Sequence, residues 1–190
     1  MAGIRANFAW FGLAYSNIGC VVRYIFALLA FTNAAWADCA PRQEAFMTCQ
    51  IEDSSKTISV CFDAHDVSYR FGVPGQPPEL ELHDRVATVN YTPWPGVGRS
   101  IWEAVKFEND GFSYVVFGGF ERMFGDEEYE DVPHRGFGGV RVTRGDEEII
   151  TLTCARETVD FAWGEGLWTA KHDLGIVWDY QTETWIAPPE

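Results

Sequence analysis

The chain has 190 residues, with 14 Lys and Arg against 28 Asp and Glu, for a formal net charge of −14. That balance argues against nucleic acid and anionic membrane surfaces, because both select basic proteins. The length and the 47% of hydrophobic residues suit one domain with a genuine core.

Residues 1–37 stand apart. They hold no acidic residue, and their only charges are Arg5 and Arg23. The apolar run Tyr24–Phe31 leads into Ala34-Ala35-Trp36-Ala37, where Ala35 and Ala37 give the small-x-small pattern that signal peptidase reads. The expectation is a signal peptide over 1–37, cut before Asp38. The apolar core after Arg23 is about a dozen residues, short of the roughly 20 that would anchor the chain across a bilayer. A start at Val21 or Val22, from an alternative initiation codon, would leave a signal of ordinary length. N-terminal sequencing of the precursor that found residues before Val21 would exclude that start. Cys20 does not fit a lipoprotein signal, since Asn17-Ile18-Gly19 lacks the expected leucine and an apolar run follows.

Cleavage would leave 38–190, with 12 of the basic residues, all 28 acids and a net −16. A basic protein partner suits that charge, and so does plain solubility. Four cysteines remain: Cys39, Cys49, Cys61 and Cys154. In an exported chain they read as two disulfides, with three pairings open.

Ala45–Ile51 and Thr57–Phe62 read as a hairpin about Asp53-Ser54-Ser55-Lys56. A register pairing Cys49 with Val60 puts Met47, Cys49, Ile51, Ile58, Val60 and Phe62 on one apolar face and turns Cys61 the other way. Cys154 shares its parity with Ile150 and Leu152, so it also points inward. The pattern leans toward Cys49–Cys154 with Cys39–Cys61. A one-residue slip would instead pair Cys49 with Cys61, at the cost of mixed faces.

Val67, Tyr69 and Phe71 alternate with polar neighbours, as do Leu80 and Leu82, so each run reads as a half-buried strand. The Gly72–Pro78 segment between them is a tight connection. Arg85–Tyr91 reads as a further strand. Then comes an aromatic Gly/Pro loop, Thr92–Arg99. Ser100–Glu108 and Phe112–Phe120 flank Asn109-Asp110-Gly111, the strongest hairpin signal in the chain. Residues 121–138 read as a long polar loop, and Gly136-Phe-Gly-Gly139 as a bend. Gly139–Arg144 and Glu147–Cys154 form a last hairpin about Gly145-Asp146. The tail holds Trp163, Trp168, Trp178 and Trp185, with a short helix over Leu167–Leu174 stopped by Gly175.

The expected fold is mainly β: an antiparallel barrel or sandwich of about eight short strands, with at most one short C-terminal helix. The expected organisation is a β domain over 38–154, with a Trp-rich extension, 155–190, packing on it.

Motifs that carry chemistry are sparse. The sequence has no G-x-S-x-G elbow, no H-E-x-x-H pair and no phosphate loop. His65, His83, His134 and His172 are scattered and read as surface residues. Asp63, His65 and Asp66 offer too few ligands for zinc. The cluster Asp126, Glu127, Glu128, Glu130 and Asp131 lacks the alternating order that wraps calcium. No cofactor or metal is expected. Arg144-Gly145-Asp146 is ordinary turn chemistry at a hairpin tip, and Asn90-Tyr91-Thr92 spells a glycosylation sequon. Trp94 and Arg99, on the aromatic loop, are the best binding candidates, since Trp and Arg dominate interface hot spots and Trp also stacks on sugars.

Cys49, Val60-Cys61, Tyr69-Arg70-Phe71-Gly72 with Gly75, and Pro78-Glu79-Leu80-Glu81-Leu82 carry a resemblance to a group of small secreted bacterial β-rich proteins of unassigned function. Gly96-x-Gly98-Arg99, Gly111-x-x-Tyr114 and Cys154 continue it. The resemblance implies a shared framework and no activity, and Cys39 and the Trp-rich tail depart from it. A looser likeness, of architecture and compartment, is to periplasmic lysozyme inhibitors.

These readings lead to an exported, non-enzymatic binding protein, in one version an inhibitor of a basic cell-wall hydrolase. Trp94, Arg99 and the acidic cluster 126–131 would make contact, because many lysozymes are basic. The alternative is a carbohydrate-binding module or a carboxylate-based glycan hydrolase.

Overall fold

The computed structural model describes residues 39–123, 133–164 and 166–188. The expected signal peptide, 1–37, and the acidic cluster Asp126, Glu127, Glu128, Glu130 and Asp131 lie outside the described residues. Two five-stranded antiparallel sheets form a β sandwich. The first contains β1 (Glu44–Gln50), β2 (Thr57–Phe62), β3 (Asp66–Gly72), β4 (Leu80–Arg85) and β10 (Asp160–Phe161), in the order β10-β1-β2-β3-β4. The second is a plain meander of β5 (Asn90–Thr92), β6 (Ser100–Asn109), β7 (Phe112–Glu121), β8 (Arg135–Arg144) and β9 (Glu147–Thr153).

The first hairpin keeps its expected faces in a different register. Cys49 lies opposite Ile58 and Met47 opposite Val60, two residues from the expected pairing. An even shift leaves parity intact, so Met47, Cys49, Ile51, Ile58, Val60 and Phe62 are all buried. A bulge between Ala45 and Met47 lets Phe46 and Met47 both enter the core. Cys61 faces the other way and bonds Cys39, while Cys49 bonds Cys154, with Cα separations of 5.5 and 5.8 Å. The second disulfide sits where the sheets join, because Ile51 bridges Cys154 and the Ala155 N–H donates to the Gln50 carbonyl at 2.8 Å.

Two elements differ from the sequence reading. Arg85–Tyr91 is not one strand. The Asp84 carboxylate accepts from the Arg85 N–H at 2.7 Å and the Thr88 hydroxyl at 2.9 Å, and the Arg85 carbonyl accepts from the Val89 N–H at 2.8 Å. The chain therefore turns between β4 and β5. Its buried apolar residues, Val86 and Val89, sit three apart, as a turn requires, and not two apart. The second difference is Gly136–Gly139, which lies within β8 and is no bend. Gly138 pairs Gly118 on β7. A Cβ on Gly118 would stand 2.8 Å from both Met47 and Phe161 of the other sheet, so the glycine permits the sheets to close there.

The β6–β7 turn has positive φ at both Asp110 (50°) and Gly111 (79°), the geometry that matches strand twist. Between the sheets, Tyr69 stacks on Phe107 at 5.8 Å. After Cys154 the chain makes a short 3-10 turn, adds β10 to the first sheet, and forms α1 (Leu167–Asp173) and a hairpin of β11 (Val177–Asp179) and β12 (Thr184–Ile186). Gly175, at φ 75°, ends the helix and donates to the His172 carbonyl at 2.8 Å. Among the described residues no helix is long and apolar enough to cross a membrane. Two disulfides suit a chain that folds in an oxidising environment.

Candidate functional site

Strand β5 is the outer strand of the second sheet, so its outward carbonyls need partners. The C-terminal hairpin supplies one. The Trp185 indole N–H donates to the Tyr91 carbonyl at 2.7 Å, and the two rings stack at 5.7 Å. Trp185 is the hub of a cluster, with Trp178 at 5.2 Å, Trp168 at 5.3 Å and His172 at 6.0 Å. Helix α1 adds Lys171, whose ammonium lies 5.1 Å from the Trp185 ring centroid and 3.5 Å from the Ala87 carbonyl.

Between this hairpin, β5 and the loop after it lies an open groove of about 640 Å³. Pro93, Pro95, Trp102, Trp178, Tyr180 and Glu183 form its walls, over a floor of Tyr91, Lys171 and Trp185. Trp102 is there because β6 alternates. Ile101, Val105 and Phe107 turn inward, so Trp102 projects outward, half-buried. Tyr180 is 67% exposed, a large apolar surface left to solvent at the rim. Such a groove offers flat aromatic faces beside hydroxyls, one carboxylate and one amine.

Electrostatics at the floor are unusual. Burial pushes the Lys171 ammonium down to about 8, partly opposed by the nearby Asp84 carboxylate. Behind the floor, inside the sandwich, Glu103 of β6 is a buried acid. Burial pushes its carboxyl up to about 7, and the Tyr91 hydroxyl partly opposes the shift. That hydroxyl is itself raised by burial and by Glu103, and it makes no hydrogen bond of good geometry.

The residues singled out from sequence fall elsewhere. Trp94 does not line the groove. Its indole N–H donates to the Val97 carbonyl at 3.1 Å, and its ring meets Trp163 edge-on at 6.3 Å, with the Arg122 guanidinium 5.7 Å away. Phe120 and the flat-stacked His134 complete this second aromatic patch. Arg99 is exposed beside it, with its carbonyl accepting from the Arg122 N–H at 3.1 Å. The aromatic loop thus splits: its prolines wall the groove, while Trp94 faces away from it. Asp63 caps a turn, accepting at 2.9 Å from the N–H groups of both His65 and Asp66, bonds that hold its carboxyl below the usual range. All four histidines are exposed. Among the described residues no three His, Cys, Asp or Glu side chains gather to hold a metal.

Sequence reading missed the groove. Its walls come from stretches as far apart as Pro93 and Glu183, with no local motif. Trp102 was the available signal, an outward tryptophan on a strand whose other face is apolar. Comparison with family models, curated proteins and solved structures finds no match.

Proposed function

We propose that the chain is an exported, non-enzymatic binding protein whose ligand seat is the groove beside β5, and that the ligand is a glycan. The observation that carries this is the set Trp102, Trp178 and Tyr180 around one open groove. Indole and phenol faces stack on the apolar faces of sugar rings, and the rim groups Thr88, Asn90, Thr92 and Glu183 can serve their hydroxyls. Glycoside cleavage uses two carboxylates across a cleft. Glu183 is the one acid lining this groove among the described residues, which supports binding over hydrolysis.

Titration of the purified protein with soluble oligosaccharides, read by tryptophan fluorescence and calorimetry, tests the reading. Binding that Trp178→Ala weakens about tenfold or more supports it. Loss of binding in Trp94→Ala with none in Trp178→Ala sinks it.

A second reading keeps support from charge. The net −16 of residues 38–190 suits a basic protein partner such as a cell-wall hydrolase, met through Trp94, Arg99 and the acidic cluster.

A further inference from the structure

Lys171 is 1% exposed, at the floor of the groove, and the fold leaves it poorly served. An ammonium has three N–H donors. Among the described residues the Lys171 ammonium makes a single hydrogen bond, to the Ala87 carbonyl at 3.5 Å, the long limit for such a bond. Its other close contact is the face of Trp185, which attracts a cation but accepts no N–H in a directed bond. Asp84 is near enough to act on it through space, but no hydrogen bond or ion pair joins them. Buried cations are ordinarily paired. Lys171 is also one of the residues that line the groove, and its amine sits on a flexible four-carbon stem.

We propose that the groove selects acidic glycans, chains of sugars carrying carboxylates, and that Lys171 is the group that binds the carboxylate. This rests on the glycan reading above. Three features favour a carboxylate. A cationic ligand would meet Lys171, which already occupies the face of Trp185. A phosphate monoester would want several donors or a guanidinium fork, and the groove offers one amine, with Asp84 and Glu183 near it to repel a dianion. A monoanionic carboxylate needs only the donors that Lys171 has spare. Trp102, Trp178 and Tyr180 then hold the sugar ring that presents it.

The test uses matched neutral and acidic tetrasaccharides on the purified protein: cellotetraose with tetraglucuronate, mannotetraose with tetramannuronate, and methyl-esterified with free tetragalacturonate. In at least one pair the acidic member binds about tenfold tighter, as a charge-assisted hydrogen bond implies. Lys171→Met abolishes that preference; an acidic preference that survives in Lys171→Met overturns the role given to Lys171. Equal affinity within every binding pair overturns the acidic selectivity and leaves the glycan reading standing. No binding to any member overturns both. A readout independent of the variant comes from ¹⁵N-lysine labelling, since the lysines of the chain are Lys56, Lys106 and Lys171. The acidic member shifts the Lys171 side-chain signal and the neutral one does not; equal shifts count against the proposal.

Discussion

Glu103 on β6 and Tyr91 on β5 meet inside the sandwich, a carboxyl and a phenol both buried, with no cation acting on either among the described residues. Folding takes Glu103 from an ordinary 4.5 up to about 7. The folded state therefore holds this proton where the unfolded chain has released it. The resulting stability is fully present below pH 4.5 and is lost as pH rises through about 7. Glu103→Gln keeps shape and removes the charge. Its Tm should match the parent's at pH 4 and exceed it at pH 8, with a gain of roughly 2–3 kcal/mol in urea unfolding. Equal midpoints at both pH values would show that the carboxyl is not desolvated.

The Cys49–Cys154 disulfide spans 105 residues and ties the end of β1 to the end of β9. Cys39–Cys61 spans 22 and holds only the N-terminal lead-in to β2. Chain-entropy arguments give about 4.7 kcal/mol for a loop near 100 residues and about 3 kcal/mol for one near 15. Replacing Cys49 and Cys154 by Ser should cost more stability than replacing Cys39 and Cys61. Urea midpoints of the two double variants check the order, and the reverse order would mean that the corner bridged by Ile51 and Cys154 holds itself together.

At Gly118 on β7 the facing sheet comes close. A methyl there would lie 2.8 Å from Met47 of β1 and from Phe161 of β10. Gly118→Ala should destabilise by about 1–3 kcal/mol through overpacking. Adding Met47→Ala should recover part of that loss, because it removes one of the two obstructing side chains. Chemical denaturation of the single and double variants measures the coupling.

How much of this was legible in the sequence depends on the distance over which a feature is encoded. The parity of Met47, Cys49 and Ile51 against Ile58, Val60 and Phe62 is local, and it put Cys61 on the far face of its strand and Cys49 on the near one. The Asp110-Gly111 turn and the stop at Gly175 are local too. Arg85–Tyr91 misled because Val89 and Tyr91 alternate as in a strand, while the turn capped by Asp84 brings Val86 into the core three residues before Val89. The glycines of 136–139 read as a bend because what they make room for lies elsewhere in the chain: Val159 at Gly136, the Cys154 sulfur at Gly138 and the Leu152 carbonyl at Gly139. The groove left one local trace, the outward Trp102. Trp102, Lys171, Trp178 and Tyr180 come together only when the tail lies along β5, and Trp185 fixes that docking through a carbonyl that any residue at position 91 would offer.

That docking is itself open to test. Trp185 carries the hydrogen bond to β5 and contacts Tyr91, Trp168, Trp178 and His172. Trp185→Phe keeps most of the ring and loses the N–H, a cost of about 1 kcal/mol. Trp185→Ala loses the hub and should cost about 3–5 kcal/mol. Hydrogen exchange should show whether the loss is local. Faster exchange confined to 167–188, with β6–β8 protected, is the expected pattern, since the tail closes the outer edge of a sandwich whose core lies between the sheets.

Salt separates the two binding surfaces, because they make opposite demands on charge. A basic hydrolase drawn by the net −16 of residues 38–190 should bind fast at low ionic strength and lose affinity as the Debye length shortens to about 10 Å at 0.1 M. That binding should fall in Trp94→Ala and Arg99→Ala and be indifferent to Trp178→Ala. A glycan in the groove behaves differently. A neutral chain stacks on Trp102 and Trp178 and is insensitive to salt. An acidic one is repelled at long range by the net charge and attracted only at the buried Lys171, where screening is weak. Its affinity should hold or rise between 10 and 150 mM salt, and should fall about tenfold in Trp178→Ala. Measuring both partners against both variants across that salt range decides which surface works. A steep fall with salt at the groove would mean that its ligand is a cation, which the place of Lys171 against Trp185 argues against.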